Sequence, residues 1–193
     1  MRCDWCLGDE LYIKYHDEEW GRPVYDDQTL FEFLVLESMQ AGLSWITILR
    51  KRENFRKAFD YFNVLKVSQY DEAKILELLN NPGIIRYRRK IEAAINNAKM
   101  FIEIQKEFGS FSTYLWRFVN HKQIINHYQQ IDDIPTTSKL SDLIASDLKK
   151  RGFKFLGSTI IYSYLEAVGV IDDHIETCIM KNRRKIKLNE NKE

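Results

Sequence analysis

The stretch Leu36-Glu37-Ser38-Met39-Gln40-Ala41-Gly42-Leu43-Ser44-Trp45 decides how the chain folds. It continues a run in which Leu30, Phe31, Phe33, Leu34 and Leu36 fall at helical spacing. Asp26 or Asp27 is expected to cap that helix, and Gly42 to close it in the left-handed conformation that glycine tolerates. Ser44 then caps a second helix carrying Trp45, Ile46, Ile48 and Leu49. A carboxylate thus sits in a largely apolar helix one turn before a tight corner, and an indole sits just past it. On these residues alone, a half-exposed glutamate and an ordinary core tryptophan explain the pair better than a site does.

Outward from the corner, helical periodicity continues. Only three prolines and eight glycines interrupt 193 residues. Ile75, Leu78 and Leu79 mark a short helix between Asp71 and Asn80, and Pro82-Gly83 a turn. A long helix from Arg86 to Phe108 is predicted to bury Ile91, Ala94, Ile95, Ala98, Phe101 and Ile102. Gly109-Ser110 ends it, and Ser112 begins a short helix through Leu115, Trp116 and Phe118. The polar segment from Asn120 to Thr137 reads as a loop, and Ser138 or Ser141 starts a helix through Leu143, Ile144 and Leu148. No stretch has the sustained alternation of a strand, and no repeat is present. The expected fold is all-α, one domain over residues 1–180 or two apposed helical lobes, followed by a flexible basic tail over 181–193.

Hydrophobic residues at 45% exclude disorder. No apolar run approaches the roughly 20 residues that span a bilayer, and Met1-Arg2-Cys3-Asp4-Trp5-Cys6 has no signal-peptide core. A cytoplasmic protein without a membrane partner is expected. Net charge is only +1, but basic residues cluster at Arg50-Lys51-Arg52, Arg86-Tyr87-Arg88-Arg89-Lys90, Lys149-Lys150-Arg151 and Arg183-Arg184-Lys185. These form either one phosphate-binding face or four unrelated solvated patches.

Lys150-Arg151-Gly152-Phe153-Lys154-Phe155-Leu156-Gly157-Ser158-Thr159-Ile160 reads as a helix end, a glycine-bounded hairpin and a new helix capped by Ser158. Backbone N–H groups at such a helix start suit phosphate oxygens. With Lys149, Lys150, Arg151 and Lys154 alongside, the hairpin is a candidate DNA-backbone site. An ordinary helical corner is the alternative.

Cys3, Cys6 and Cys178 make an odd number without export signals, which argues against disulfides. His174 and Cys178, four positions apart, share a face if a helix starts at Asp172 or Asp173. With Cys3 and His16 they complete a tetrahedral set for structural Zn²⁺, one ion per chain, with no open position for catalysis. Two alternatives stand beside that set. Cys3 and Cys6 have zinc-knuckle spacing and could join His174 and Cys178, or His16 could be a hydrogen-bonded surface histidine.

Taken together, several tracts resemble the bacterial DNA-3-methyladenine glycosylase I family. They are Tyr12-Ile13-Lys14-Tyr15-His16-Asp17-Glu18-Glu19-Trp20-Gly21, the corner from Leu36 to Thr47, Gly83-Ile84-Ile85-Arg86, Trp116-Arg117-Phe118-Val119-Asn120-His121, Lys149 to Gly157, and Asp173-His174. The resemblance runs in order to about Cys178. It implies a helix-hairpin-helix glycosylase fold, with N- and C-terminal segments joined by zinc on Cys3, His16, His174 and Cys178, and with Cys6 left as a spare thiol. It also implies a hairpin around Gly152 and Gly157 on the DNA backbone. The base pocket would consist of Glu37 and Tyr15 as hydrogen-bonding groups, Trp45 as a stacking wall, and Trp5, Tyr12 and Trp20 as further walls.

The implied reaction is base excision: N3-methyladenine is flipped out of alkylated double-stranded DNA and its N-glycosidic bond is hydrolysed. A cationic purine is already a good leaving group, so recognition by an indole face and a carboxylate suits it. Catalysis falls to Glu37, with Asp172 as a further candidate, and no lysine is placed as a Schiff-base nucleophile. A monomer in the bacterial cytosol, without an obligate protein partner, is expected. The competing class is a non-catalytic, zinc-stabilised helical DNA-binding or damage-sensing module. A zinc hydrolase conflicts with the saturated ligand set.

Overall fold

A computed structural model describes residues 1–40 and 42–181. Ala41 at the corner and the tail beyond Lys181, with its Arg183-Arg184-Lys185 cluster, lie outside them. The described chain is helical, with α1 at Glu10–Glu18, α2 at Asp27–Gln40, α3 at Trp45–Ala58, α4 at Val64–Ser68 and α5 at Glu72–Asn80. It continues with α6 at Arg88–Phe108, α7 at Phe111–Trp116, α8 at Lys139–Lys150 and α9 at Ser158–Ala167. Among the described residues, no helix is long and apolar enough to cross a membrane.

α2 is the central element. Every residue from Leu30 to Met39 is buried, Glu32, Glu37 and Ser38 included. A helix apolar on most sides must be covered on most sides, and α3, α6, α7 and α9 all pack on it. The two candidate caps divide their work. Asp26 accepts the Thr29 N–H at 2.8 Å and caps α2, whereas Asp27 accepts the N–H groups of Phe111 and Ser112 at 2.9 and 2.8 Å and caps α7. Gly42 takes φ +84°, as the corner requires. Ser44 holds the cap position of α3, but its hydroxyl pairs with that of Thr47 at 2.8 Å.

The buried stripe of α6 includes Ile104, and Ile102 is only partly covered. α7 starts at Phe111 behind Ser110, one turn position before the expected Ser112. Ser138 caps α8 as expected. Gly157, not Ser158, is the cap of α9, because the Ser158 hydroxyl is used on Ser141 at 2.8 Å.

The largest departure follows α9. Residues Asp172 and Asp173 do not start a helix. Ile171–Asp172 (β2) pairs in parallel with Ile124–Ile125 (β1), Ile124 facing Ile171 and Ile125 facing Asp172. The segment between Asn120 and Thr137 therefore contains a short strand and, at Ile131–Asp133, a 3₁₀ turn. Such a ladder is too short to leave an alternating signal in sequence. Gly169 lets this crossing form: a Cβ there would lie 2.1 Å from the Arg22 carbonyl carbon.

Candidate functional site

Three helices each bring one expected pocket residue: Tyr15 from α1, Glu37 from α2 and Trp45 from the first position of α3. Arg52 of α3 bolts these helices together. It donates to Glu32 of α2 at 2.6 Å and to Glu19, just past α1, at 2.7 Å. Its guanidinium lies 4.8 Å from the Phe33 ring, which stacks in turn on Trp45.

Together these side chains line a cavity of about 320 Å³, within the size range of small-molecule sites. Trp5, Tyr12 and Trp20 complete the aromatic wall. Trp5 sits 4.8 Å from Tyr12 and 5.0 Å from Trp20 between ring centres, and Tyr15 sits 5.7 Å from Trp45. All six residues assigned to the pocket from sequence converge. Glu37 is 3% exposed and makes no hydrogen bond among the described residues. Burial pushes its carboxyl up to about 8, and burial followed by the Glu37 charge raises the Tyr15 hydroxyl well above its usual range.

The rest of the lining was not foreseen. It comes from α9, through Tyr162, Ser163 and Glu166, and from the supposed loop, through Ile131, Ile134 and Pro135. The clustering of those three apolar residues in a polar segment was the available signal. No lysine, arginine or histidine lines the cavity among the described residues.

Behind Trp20 lies the donor cluster. Cys3 Sγ, Cys178 Sγ and a His16 ring nitrogen all fall within 4.8 Å of one another. His174 lies outside that tightest group, with its ring centre 4.8 Å from that of His16 and 4.5 Å from that of Trp20. Each histidine places Nδ1 against a carboxylate, Asp17 at 2.8 Å and Asp172 at 2.7 Å. A carboxylate accepts, so Nδ1 carries the proton and Nε2 of the neutral ring is a free donor atom. His16 Nε2 is 3.5 Å from Cys178 Sγ, and His174 Nε2 is buried without a hydrogen-bond partner.

The hydrogen bond from Cys3 pulls the Cys178 thiol well below its usual range against the effect of burial. The same pairing and burial push Cys3 up. Cys6 stands apart: its thiol donates to the Cys3 carbonyl at 3.1 Å and burial raises it to about 11. Asp172 points to His174, not to the cavity.

The hairpin between α8 and α9 is held by α6. Asn97 accepts the Lys154 N–H at 2.8 Å and donates to the Lys154 carbonyl at 2.9 Å, while Asn96 donates to the Gly152 carbonyl at 2.8 Å. Lys149, Lys150 and Lys154 are exposed, as are Gly152 and Gly157. Arg151 differs from them: Glu107 at 2.6 Å and Asp147 at 2.9 Å engage it. The other basic clusters are also partly spent inside the protein. Arg52 is buried, Arg88 pairs with Glu72, and Lys90 donates to the Met39 carbonyl at the end of α2. Of the two readings of the charge clusters, neither holds whole.

A helical protein whose cavity is aromatic and acidic, reached from the same helix that starts at a basic hairpin, is built to hold a flat cationic group. The chain matches the methyladenine glycosylase family over residues 5–182. DNA-3-methyladenine glycosylase 1 of Escherichia coli strain K12 is 45% identical over 177 residues, 92% of this chain and 95% of the relative. A crystal structure of 3-methyladenine DNA glycosylase I superposes with a TM-score of 0.90 at 47% identity, covering 93% of this chain and 98% of that one. A structure of the Staphylococcus aureus enzyme, on the structural basis of 3-methyladenine recognition, gives a TM-score of 0.90 at 41% identity over 93% and 96% of the chains. The chain belongs to the methyladenine glycosylase family.

Proposed function

We propose that the protein is a monofunctional glycosylase that flips N3-methyladenine out of alkylated double-stranded DNA and hydrolyses its N-glycosidic bond. The observation that carries this reading is the cavity itself, with aromatic walls, two carboxyl groups and no basic side chain among its described lining. An indole face attracts a desolvated cation by roughly 2 kcal/mol. Ionising Glu37 at pH 7 costs about 1.4 kcal/mol given its raised titration. A purine cation about 4 Å away returns around 4 kcal/mol at an effective dielectric of 20. The attraction wins, so Glu37 becomes a carboxylate as the lesion enters. Neutral adenine offers no such return and meets a protonated acid.

Bond breaking sends the C1′–N9 electron pair to the purine, which leaves neutral. The positive charge passes to the sugar, and water adds at C1′ and loses a proton. Among the described residues, no lysine lines the cavity to form a Schiff base instead. The protein would act as a monomer, since the described lining of the cavity comes from this chain. The non-catalytic alternative leaves the convergence of Glu37, Tyr15 and Trp45 unexplained. Chromatography of bases released from methylated DNA tests the reading. N3-methyladenine should dominate and N7-methylguanine stay in the polymer, because the pocket acceptors suit an exocyclic amine rather than a carbonyl. Comparable release of both would refute the pocket assignment.

Cys3, His16, His174 and Cys178 would hold the structural Zn²⁺. Two thiols and two Nε2 atoms, the unpartnered His174 Nε2 among them, fit that ion. It would tie the N-terminal arm to the segment after β2, and a filled tetrahedron leaves it no part in the reaction.

The hairpin would hold the DNA backbone. The N–H groups of residues 155–160 have no acceptor among the described residues, as an anion site at a helix start requires. Asn97→Ala, which frees the Lys154 backbone, should weaken affinity for undamaged duplex by about 3- to 10-fold. Excision at saturating protein should be unchanged. Anisotropy titrations and single-turnover assays on one preparation check both.

A further inference from the structure

The α9 side of the cavity carries Thr159, Tyr162, Ser163 and Glu166, which recur on one helix face. Thr159 lies beside the hairpin. Glu166 lies at the far end, where its backbone carbonyl accepts the Gly21 N–H at 2.8 Å, directly after Trp20. With phosphates at the hairpin, a flipped nucleotide would run along this face, its sugar passing Thr159 and Ser163 and its base reaching Glu166.

The Glu166 side chain is held in place. Its carboxyl meets that of Asp173, and Asp173 is fully buried, accepting the Tyr162 hydroxyl at 2.5 Å and the Asn126 amide at 2.7 Å. Asn126 follows β1 and is itself fixed, its N–H donating to the Asp172 carbonyl at 3.1 Å. A chain of hydrogen bonds thus runs from the β1–β2 ladder to an acid at the cavity wall, facing the cavity that Glu37 lines from α2. Ionised, this acid attracts a cationic purine, which a glutamine amide in its place does not.

We propose that Glu166 is a second cation-recognising residue of the base pocket, contacting the flipped purine from α9 while Glu37 contacts it from α2. The proposal rests on the base-pocket reading above. Its function is specificity: two carboxyls on adjoining helices favour a charged purine over a neutral one more than either acid alone.

The test uses two small probes that lack a cleavable sugar bond, the fixed cation 3,9-dimethyladeninium and neutral 9-methyladenine. Binding is read by quenching of tryptophan fluorescence, since Trp5, Trp20 and Trp45 line the cavity. The wild-type protein should prefer the cation, and Glu166→Gln should lower that preference by about 3- to 30-fold. Glu166→Asp, which keeps the acid but withdraws it by one methylene, should retain more of the preference than Glu166→Gln. Affinity for undamaged duplex should be the same in all three, which general unfolding would not allow. An unchanged preference in Glu166→Gln, beside a lowered one in Glu37→Gln, would overturn the proposal and leave the pocket reading standing. A wild-type protein without any preference would overturn both.

Discussion

Glu37→Gln is expected to slow single-turnover excision of N3-methyladenine by about 5- to 150-fold while stabilising the free protein at pH 9 by roughly 2–5 kcal/mol. The two effects have one cause. Burial in an apolar helix raises the Glu37 carboxyl from 4.5 to about 8. Between those values the folded protein keeps a proton that the unfolded chain has released. The unfolded state then binds fewer protons, so stability falls as pH rises through this window and levels off above about 8. Below about 4.5 both states are protonated and the penalty vanishes. Glutamine cannot ionise, so the gap in stability between variant and wild type should be near zero at pH 4.5 and widest above pH 8. Thermal unfolding across that range decides it. A gap that does not vary with pH would mean Glu37 ionises as an ordinary surface acid.

The loss of activity follows from the same charge. Glutamine keeps the shape and one acceptor but not the attraction for the cation, and it is also spared the desolvation that the carboxylate incurs. A net loss of about 1–3 kcal/mol corresponds to the fold-change expected. Because Glu37 must lose its proton to meet a cation, wild-type affinity for the lesion should rise towards pH 8 and the variant's should not. Duplex affinity should be equal, since Lys149, Lys150 and Lys154 lie on the hairpin and not in the cavity.

How much of this was legible in the sequence depends on the distance over which each contact acts. The α2 corner was legible because its determinants are local: an apolar run, a glycine at positive φ and a serine at the cap position within a few residues. The choice between Asp26 and Asp27 was not, because Asp27 serves a helix 84 residues away. The same holds for Ser158, whose hydroxyl belongs to Ser141. His174 and Cys178 are brought to the cluster by a two-residue parallel ladder rather than by the helix that their spacing suggested. The residues gather by a geometry other than the one their spacing suggested. The pocket wall on α1, α2 and α3 was readable from the quoted tracts. That on α9 was hidden, since Tyr162 and Glu166 look in sequence like an amphipathic helix and nothing more.

Replacing Cys178 with Ser, or removing metal with a strong chelator, is expected to produce the largest loss of stability of any change considered. A structural zinc contributes on the order of 10 kcal/mol, as much as the whole stability of a typical domain. The remaining ties of the N-terminal arm are modest by comparison. The Arg2–Asp17 pair at 2.9 Å is partly exposed, and such pairs contribute about 1 kcal/mol or less. If the ion these residues would hold is removed, Trp20 should also lose His174 as a fixed neighbour, and the aromatic wall of the base cavity should loosen with the arm. Cys3→Ala, His16→Ala and His174→Ala should each lower bound zinc and the unfolding temperature. Cys6→Ala should do neither, because its thiol is spent on the Cys3 carbonyl. Elemental analysis of purified variants reads the ligand set directly, independent of activity. Retention of zinc by His16→Ala together with its loss from Cys6→Ala would assign the metal to the Cys3–Cys6 pair. The carboxylate on His16, Asp17, would then serve only to dock the arm through Arg2.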